Sequence, residues 1–214
     1  MPKRLRPTAP IAADAVLVGD PGRALLLAQE LLEKPKMSNH ARGLWGYTGL
    51  TAMGRRLTIQ ATGMGGPSAA IVLADMVELG LSRAVRVGTC VAIDPMRGTG
   101  ELLEVGEALA ADGEAILPDP ELGARLRDQL SGRARTATIT SRDRLPPEPM
   151  AALAGFEAAD LQTATVLSCA RTMGFAAAVV LIVEETARGE RITDGELEAA
   201  ARGAGLVAAG VLST

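Results

Sequence analysis

AVLVGDPGRALLLAQELLEK, residues 15 to 34, decides the fold class. A short apolar run, AVLVGD, stops at Gly-Asp-Pro, and from Arg23 onward apolar side chains return at helical spacing, so the stretch predicts strand, turn, helix. Asp20 is placed to cap that helix, and Pro21 fits its first turn, where a missing N–H costs nothing. The same order recurs: RRLTIQATGMGG (55–66) reads as a strand running into a glycine turn, and PSAAIVLADMVELG (67–80) as a helix with Pro67 near its start and Gly80 at its end. AVRVGTC (84–90) is the next strand, with an arginine inside an apolar run. GEALAAD (106–112) and ARTATITS (134–141) alternate enough for strands, ELGARLRDQL (121–130) reads as a surface helix, LQTATVLSCARTMG (161–174) as a mostly apolar helix and AAAVVLIVEE (176–185) as a buried strand. Thr193 to Glu196 resembles a capping box that opens a last helix. The alternation predicts an α/β fold with a covered central sheet.

The 214 residues, 48% of them hydrophobic, suffice for one sizeable core, so a single domain over 1–214 is expected. Aromatics are 2% of the chain, and a core of Ala, Val, Leu and Ile suits a parallel sheet under helices. A net charge of −3, with arginines scattered among acids, argues against a nucleic-acid surface. Cys90 and Cys169 lie in apolar runs without CxxC spacing, which speaks against a disulfide framework or zinc site and fits a reduced, cytoplasmic setting. MPKRLRPTAP (1–10) lacks the apolar core of a signal peptide, and no apolar run is long enough to predict a membrane span. Two stretches read as loops: SNHARGLWGYTG (38–49), which holds Trp45 and Tyr47, and SRDRLPPEP (141–149).

Open α/β sheets bind ligands at the carboxyl ends of their strands. Those ends supply Gly19-Asp20-Pro21-Gly22-Arg23, Gly63-Met64-Gly65-Gly66-Pro67-Ser68, Gly88-Thr89-Cys90 and Glu184-Glu185. Backbone N–H groups at glycine turns, a hydroxyl and arginine forks match the oxygens of an anion such as phosphate. Singly, each motif is also what an ordinary strand-to-helix turn looks like. Arg86 is costlier to explain, because a guanidinium in an apolar strand must be paired or must reach a ligand. Either it points outward to an acid such as Asp75 or Glu78, or it faces a ligand.

GDPGR, RGLWGYTG, GMGGPS and RVGTC stand in an order and spacing that resemble the nucleoside phosphorylase-I family, the bacterial purine nucleoside phosphorylase and uridine phosphorylase group. The resemblance runs from Ala15 to Ile93 almost without a gap, and more loosely from Ala159 to Glu185. It implies a single α/β domain with a mixed, barrel-like central sheet flanked by helices, assembled as homodimers that often build a hexamer. It also implies reversible phosphorolysis of a nucleoside to free base and (deoxy)ribose 1-phosphate, with inorganic phosphate as co-substrate and no metal or organic cofactor. Gly19, Arg23, Arg86 and Thr89 match the family's phosphate-binding residues, and Arg42 matches the arginine lent by a neighbouring subunit. Cys90, Val91, Leu145, Leu161 and Gln162 fall at nucleoside-binding positions. Glu185 falls where purine members carry an acid near the base N7, so with Arg86 it is the expected catalytic residue; an ordinary solvated acid after Glu184 is the other reading.

The departures gather on the nucleoside half. Leu161 and Gln162 replace the family's Met-Glu ribose motif, and Gln162 is either a weaker reader of ribose hydroxyls or simply the buried first turn of a helix. Val91 replaces a glycine beside the base, and Leu145 stands where an aromatic stacks on it. Residues 1–19 hold no histidine, and the sole one, His40, lies in the loop before Arg42. The chain is also short for the family between about 94 and 160. A purine substrate is favoured by Glu185. The alternatives are a hydrolytic nucleosidase, against which Arg23, Arg42 and Arg86 speak, and a non-catalytic phosphate- or nucleotide-binding relative with a degenerate nucleoside pocket.

Overall fold

A computed structural model describes residues 4–143, 153 and 155–214. At its centre β5 (Arg83–Ala92) and β10 (Ala176–Glu185) run parallel in register from Arg83↔Ala176 to Cys90↔Val183. The other edge of β5 is shared by two strands. Its first half takes β1 (Asp14–Val18), with Leu17 opposite Arg86, and its end takes β9 (Ala158–Asp160), with Val91 opposite Ala159.

From β1 the sheet continues outward through β4 (Arg56–Ala61), β3 (Gly46–Leu50) and the edge strand β2 (Glu33–Asn39). From β10 it curls through β6 (Leu102–Leu109) and β8 (Ala134–Ser141) to β9, and β9 returns to β5, so five strands close into a barrel. The short β7 (Ala115–Ile116) pairs with β6. Parallel and antiparallel pairs both occur, which is the mixed, barrel-like sheet expected from the resemblance.

Side chains of period two send alternate residues to two cores. Leu17, Val179, Leu181 and Val183 face a cluster with Val72, Leu73, Met76 and Leu167, carried by α2 (Gly66–Glu78) and α4 (Thr163–Met173). Val16, Val18, Val180 and Ile182 face the opposite way, against Leu27, Leu126, Val207 and Val211 from α1 (Pro21–Leu31), α3 (Pro120–Gln129) and α5 (Asp194–Ser213). The largest core side chains are Leu, Ile and Met, in line with the aromatic-poor composition.

Asp20 caps α1, its Oδ1 accepting from Arg23 N at 2.8 Å, and Pro21 occupies the first turn. The capping box of Thr193 and Glu196 opens α5. Two expectations need correction. The stretch 38–49 is not a loop: it holds the end of β2, a 3₁₀ turn over Ala41–Gly43 and most of β3. The first helix ends at Leu31, before Glu33 and Lys34. Pro35 disfavours a helical Lys34 and removes a ladder donor, which a helix does not tolerate but an edge strand does. β2 shows no apolar alternation because its first five residues are exposed. The three-residue β9 is too short to carry a periodic signal.

Candidate active site

The carboxyl ends of β1, β4, β5 and β10 meet the start of α4 around a cavity of about 340 Å³, in the usual size range for small-molecule sites. Of the residues singled out above, Gly19, Arg86, Thr89, Cys90, Val91, Leu161, Gln162, Glu184 and Glu185 line it, together with the Gly63-Met64-Gly65 turn. Ala159, Asp160 and Arg191 complete the wall.

Arg86 is only 4% exposed. It lies on the α2/α4 face of β5, and its pairing is neither outward nor to Asp75 or Glu78. Nη2 donates to Asp160 Oδ2 at 3.1 Å and Nη1 to Gln162 Oε1 at 2.9 Å. Asp75 instead accepts from the backbone of Arg4 and Leu5. The guanidinium folds along its own strand over Gly88, where a Cβ would come within 2.7 Å of Nη2 and 2.8 Å of Leu181. That close approach is what the glycine in RVGTC permits. Nε is buried without a partner among the described residues. An unpaired buried donor of a cation at a cavity wall is an anion-binding feature.

Asp160 is buried at the end of β9 and saturated. It accepts from Arg86, from Thr163 N and Oγ1, and from Ser141 Oγ. Gln162 caps the start of α4 by position and is 2% exposed. Its Nε2 donates to Gly63 O at 2.7 Å and Gly65 O at 3.1 Å, and its Oε1 lies 3.0 Å from Thr62 Oγ1. Gly63 and Gly65 both have positive φ, +73° and +80°, so the turn that offers those carbonyls requires glycine.

The half-buried Thr89 hydroxyl makes no hydrogen bond with the described residues. Cys90 is buried, its thiol 3.6 Å from Ile182 O; burial, with Asp160 and Glu184 nearby, pushes its pKa far up, so it is a neutral wall group and not a nucleophile. Arg23 stands off the cavity in a groove between α1 and α5. Burial lowers its pKa against the pull of Asp20 and Glu184, and Arg86 lowers it further, so it shares the field of the site without lining it. Arg42 is exposed, held in the left-handed region at φ 62°, and makes no side-chain bond among the described residues. His40 is exposed as well and lines no part of the cavity. Leu145 lies outside the described residues.

At the far end, β10 carries a bulge: Val183 pairs with Cys90, and Glu185, not Glu184, pairs with Val91. Consecutive strand residues ordinarily point to opposite faces, and the extra residue re-aims one of them, so both glutamates reach the cavity. The chain turns at Thr186–Gly189 and comes back through the bridge Glu185↔Arg191. Arg191 Nη2 donates to Glu184 Oε1 at 3.1 Å and its Nε lies 3.6 Å from Glu185 Oε2. Sequence reasoning missed Arg191, Asp160 and Thr62. Asp160 was findable as the acid ending an apolar strand beside Leu161-Gln162; Arg191 carries no local signal among the charges of 184–191. Among the described residues no group of three or more His, Cys, Asp or Glu is placed to hold a metal ion, and no helix is long and apolar enough to cross a membrane.

No protein-family model matches the sequence. The chain is 45% identical over 84 residues to a purine nucleoside phosphorylase DeoD-type of Oceanobacillus iheyensis, covering 39% of this chain and 35% of that protein. It is 39% identical over 110 residues to the protein of the same name from Streptococcus pyogenes, covering 51% and 46%. The chain thus matches about a third to a half of the length of these curated relatives. A crystal structure of purine nucleoside phosphorylase from Toxoplasma gondii in complex with immucillin-H superposes with a TM-score of 0.83 at 17% identity, over 95% of this chain and 90% of that one. At that identity the likeness is one of fold.

Proposed function

We propose that this chain belongs to the nucleoside phosphorylase-I family, a reading supported by its partial matches to purine nucleoside phosphorylases and by its fold, and that it catalyses the reversible phosphorolysis of a purine nucleoside. The observation that carries the reading is one cavity lined by a buried arginine whose Nε is unpaired among the described residues, by Thr89, and by two carboxylates with a second arginine. Phosphate sits at Arg86, Thr89 and the Gly19 backbone, with Arg23 contributing field. A phosphate oxygen attacks C1′ as the bond from C1′ to the base nitrogen breaks, and that bond's electron pair leaves with the base. Glu185 hydrogen-bonds the base or relays a proton to its N7, and Arg191 brings positive charge to the same end. Cys90, Val91 and Leu161 supply apolar wall. The products are free base and sugar 1-phosphate, so the co-substrate is inorganic phosphate and no organic cofactor takes part.

Arg42 belongs to the reading only through a second copy. Its left-handed backbone and unengaged side chain support a homodimer in which each subunit lends Arg42 to the other's phosphate. A single domain acting in the cytoplasm completes the proposal.

The test is release of free base from a panel of purine and pyrimidine nucleosides, with and without phosphate. Phosphate-dependent release from purine nucleosides is expected. Release that ignores phosphate would mean a nucleosidase. No release, with phosphate still bound, would favour a non-catalytic relative, a reading supported by Val91 in the base wall and by the engaged amide of Gln162.

A further inference from the structure

We infer that Gln162 is a positioning residue for the anion end of the cleft and does not read the sugar; this rests on the phosphorolysis reading above. The argument is one of hydrogen-bond capacity. A primary amide has two donor hydrogens and an oxygen with two lone pairs. Both hydrogens of Gln162 are spent on Gly63 O and Gly65 O, and the oxygen takes Arg86 Nη1 and faces the Thr62 hydroxyl, whose proton is also within reach of Val18 O. The partners fix the orientation, since a flipped amide would set its nitrogen against the guanidinium and its oxygen against two carbonyls. A sugar hydroxyl arriving at Gln162 would have to displace a buried bond to gain one.

What the amide does achieve is to tie three segments together at one point: the end of β4, the glycine turn before α2, and Arg86 on β5. Arg86 Nη2 is held separately by Asp160. With both arms of the fork anchored, the guanidinium keeps a fixed orientation at the cavity wall, with Nε left unpaired among the described residues. That preorganisation reduces the ordering cost of binding an anion. Gln162 therefore acts on phosphate through Arg86.

The test is calorimetric titration of inorganic phosphate into the wild-type protein and Gln162→Met, with steady-state KM values for phosphate and for matched purine ribonucleoside and 2′-deoxyribonucleoside. Loss of the charge-assisted bond is expected to weaken phosphate binding about tenfold. Phosphate KM rises with it, while the nucleoside KM and the ribo-to-deoxy preference stay put. Unchanged phosphate affinity, or a shift in sugar preference without one, overturns the inference. Should Gln162→Met fail to fold, Thr62→Val, which alters a residue outside the cavity wall, is expected to weaken phosphate about threefold through the same amide, and unchanged affinity overturns the inference equally. A wild type that binds phosphate as tightly as its variants sinks this inference alone. A wild type that neither binds phosphate nor releases base sinks the phosphorylase reading and this inference with it.

Discussion

Within β5, Arg86 meets Asp160 in a pair shielded from water, with side chains 5% and 0% exposed; at the end of β10, Arg191 meets Glu184 and Glu185 largely in the open, at 67%, 32% and 35%. The first pair is part of the fold. Its carboxylate also binds the first turn of α4 and Ser141 of β8, so the geometry offered to an anion is set before any ligand arrives. The second pair sits on a bulge and a short returning loop, where screening by water leaves each contact weak and the groups free to re-aim. A site that must seize a small, symmetric anion profits from the first construction, and one that must follow changing charge on a leaving base profits from the second.

The largest expected break of this contrast is Arg86→Ala. It removes the proposed anion donor and strands Asp160, so phosphate-dependent base release should fall about a thousandfold, and stability by about 3–5 kcal/mol. Activity assays and urea unfolding check the two parts. The stability loss follows from the buried pair alone; a variant as stable as wild type would show that Asp160 does not depend on Arg86. Next is Glu185→Gln, expected to lower turnover of purine nucleosides about a hundredfold while the calorimetric affinity for phosphate is unaltered. A matching loss of phosphate affinity would erase the division between the two ends.

Arg191→Ala sharpens the contrast from the exposed side. Turnover should fall about tenfold, while stability changes by less than about 1 kcal/mol, because the pair is open to water. A stability loss like that of Arg86→Ala would mean that the Arg191 pair is shielded from water. The smallest effect concerns Cys90. Burial raises its folded pKa above that of the unfolded thiol, near 8.5. The associated stability is complete below that pH and declines as pH rises above it. Cys90→Ala should flatten the decline between about pH 8 and 10 in denaturant unfolding, leaving the smaller contribution of Cys169, which is raised by burial too.

The same division separates what the sequence disclosed from what it withheld. Gly19, Gly63 and Gly65 sit in contiguous strand-to-helix motifs, where apolar run, glycine and helix start follow one another within a few residues, and Arg86 and Thr89 sit in one apolar run, β5. Local chemistry sufficed to find them. The work of Gln162 could not be read that way, because its partners come from positions about 100 and 76 residues away and only packing unites them. Glu184 lies in a bulge, which exists in the pairing of β10 with β5 and not in either strand alone. β2 escaped notice because an exposed edge strand with Pro35 has no apolar face to betray it. The closed barrel, resting on three-residue β9, entered only by family resemblance.

The most direct test of the account follows phosphorus by NMR while the protein is incubated with a purine nucleoside and inorganic phosphate. The account predicts that the phosphate resonance declines as a sugar 1-phosphate monoester appears, mole for mole with free base. Free base without any phosphate ester would contradict it.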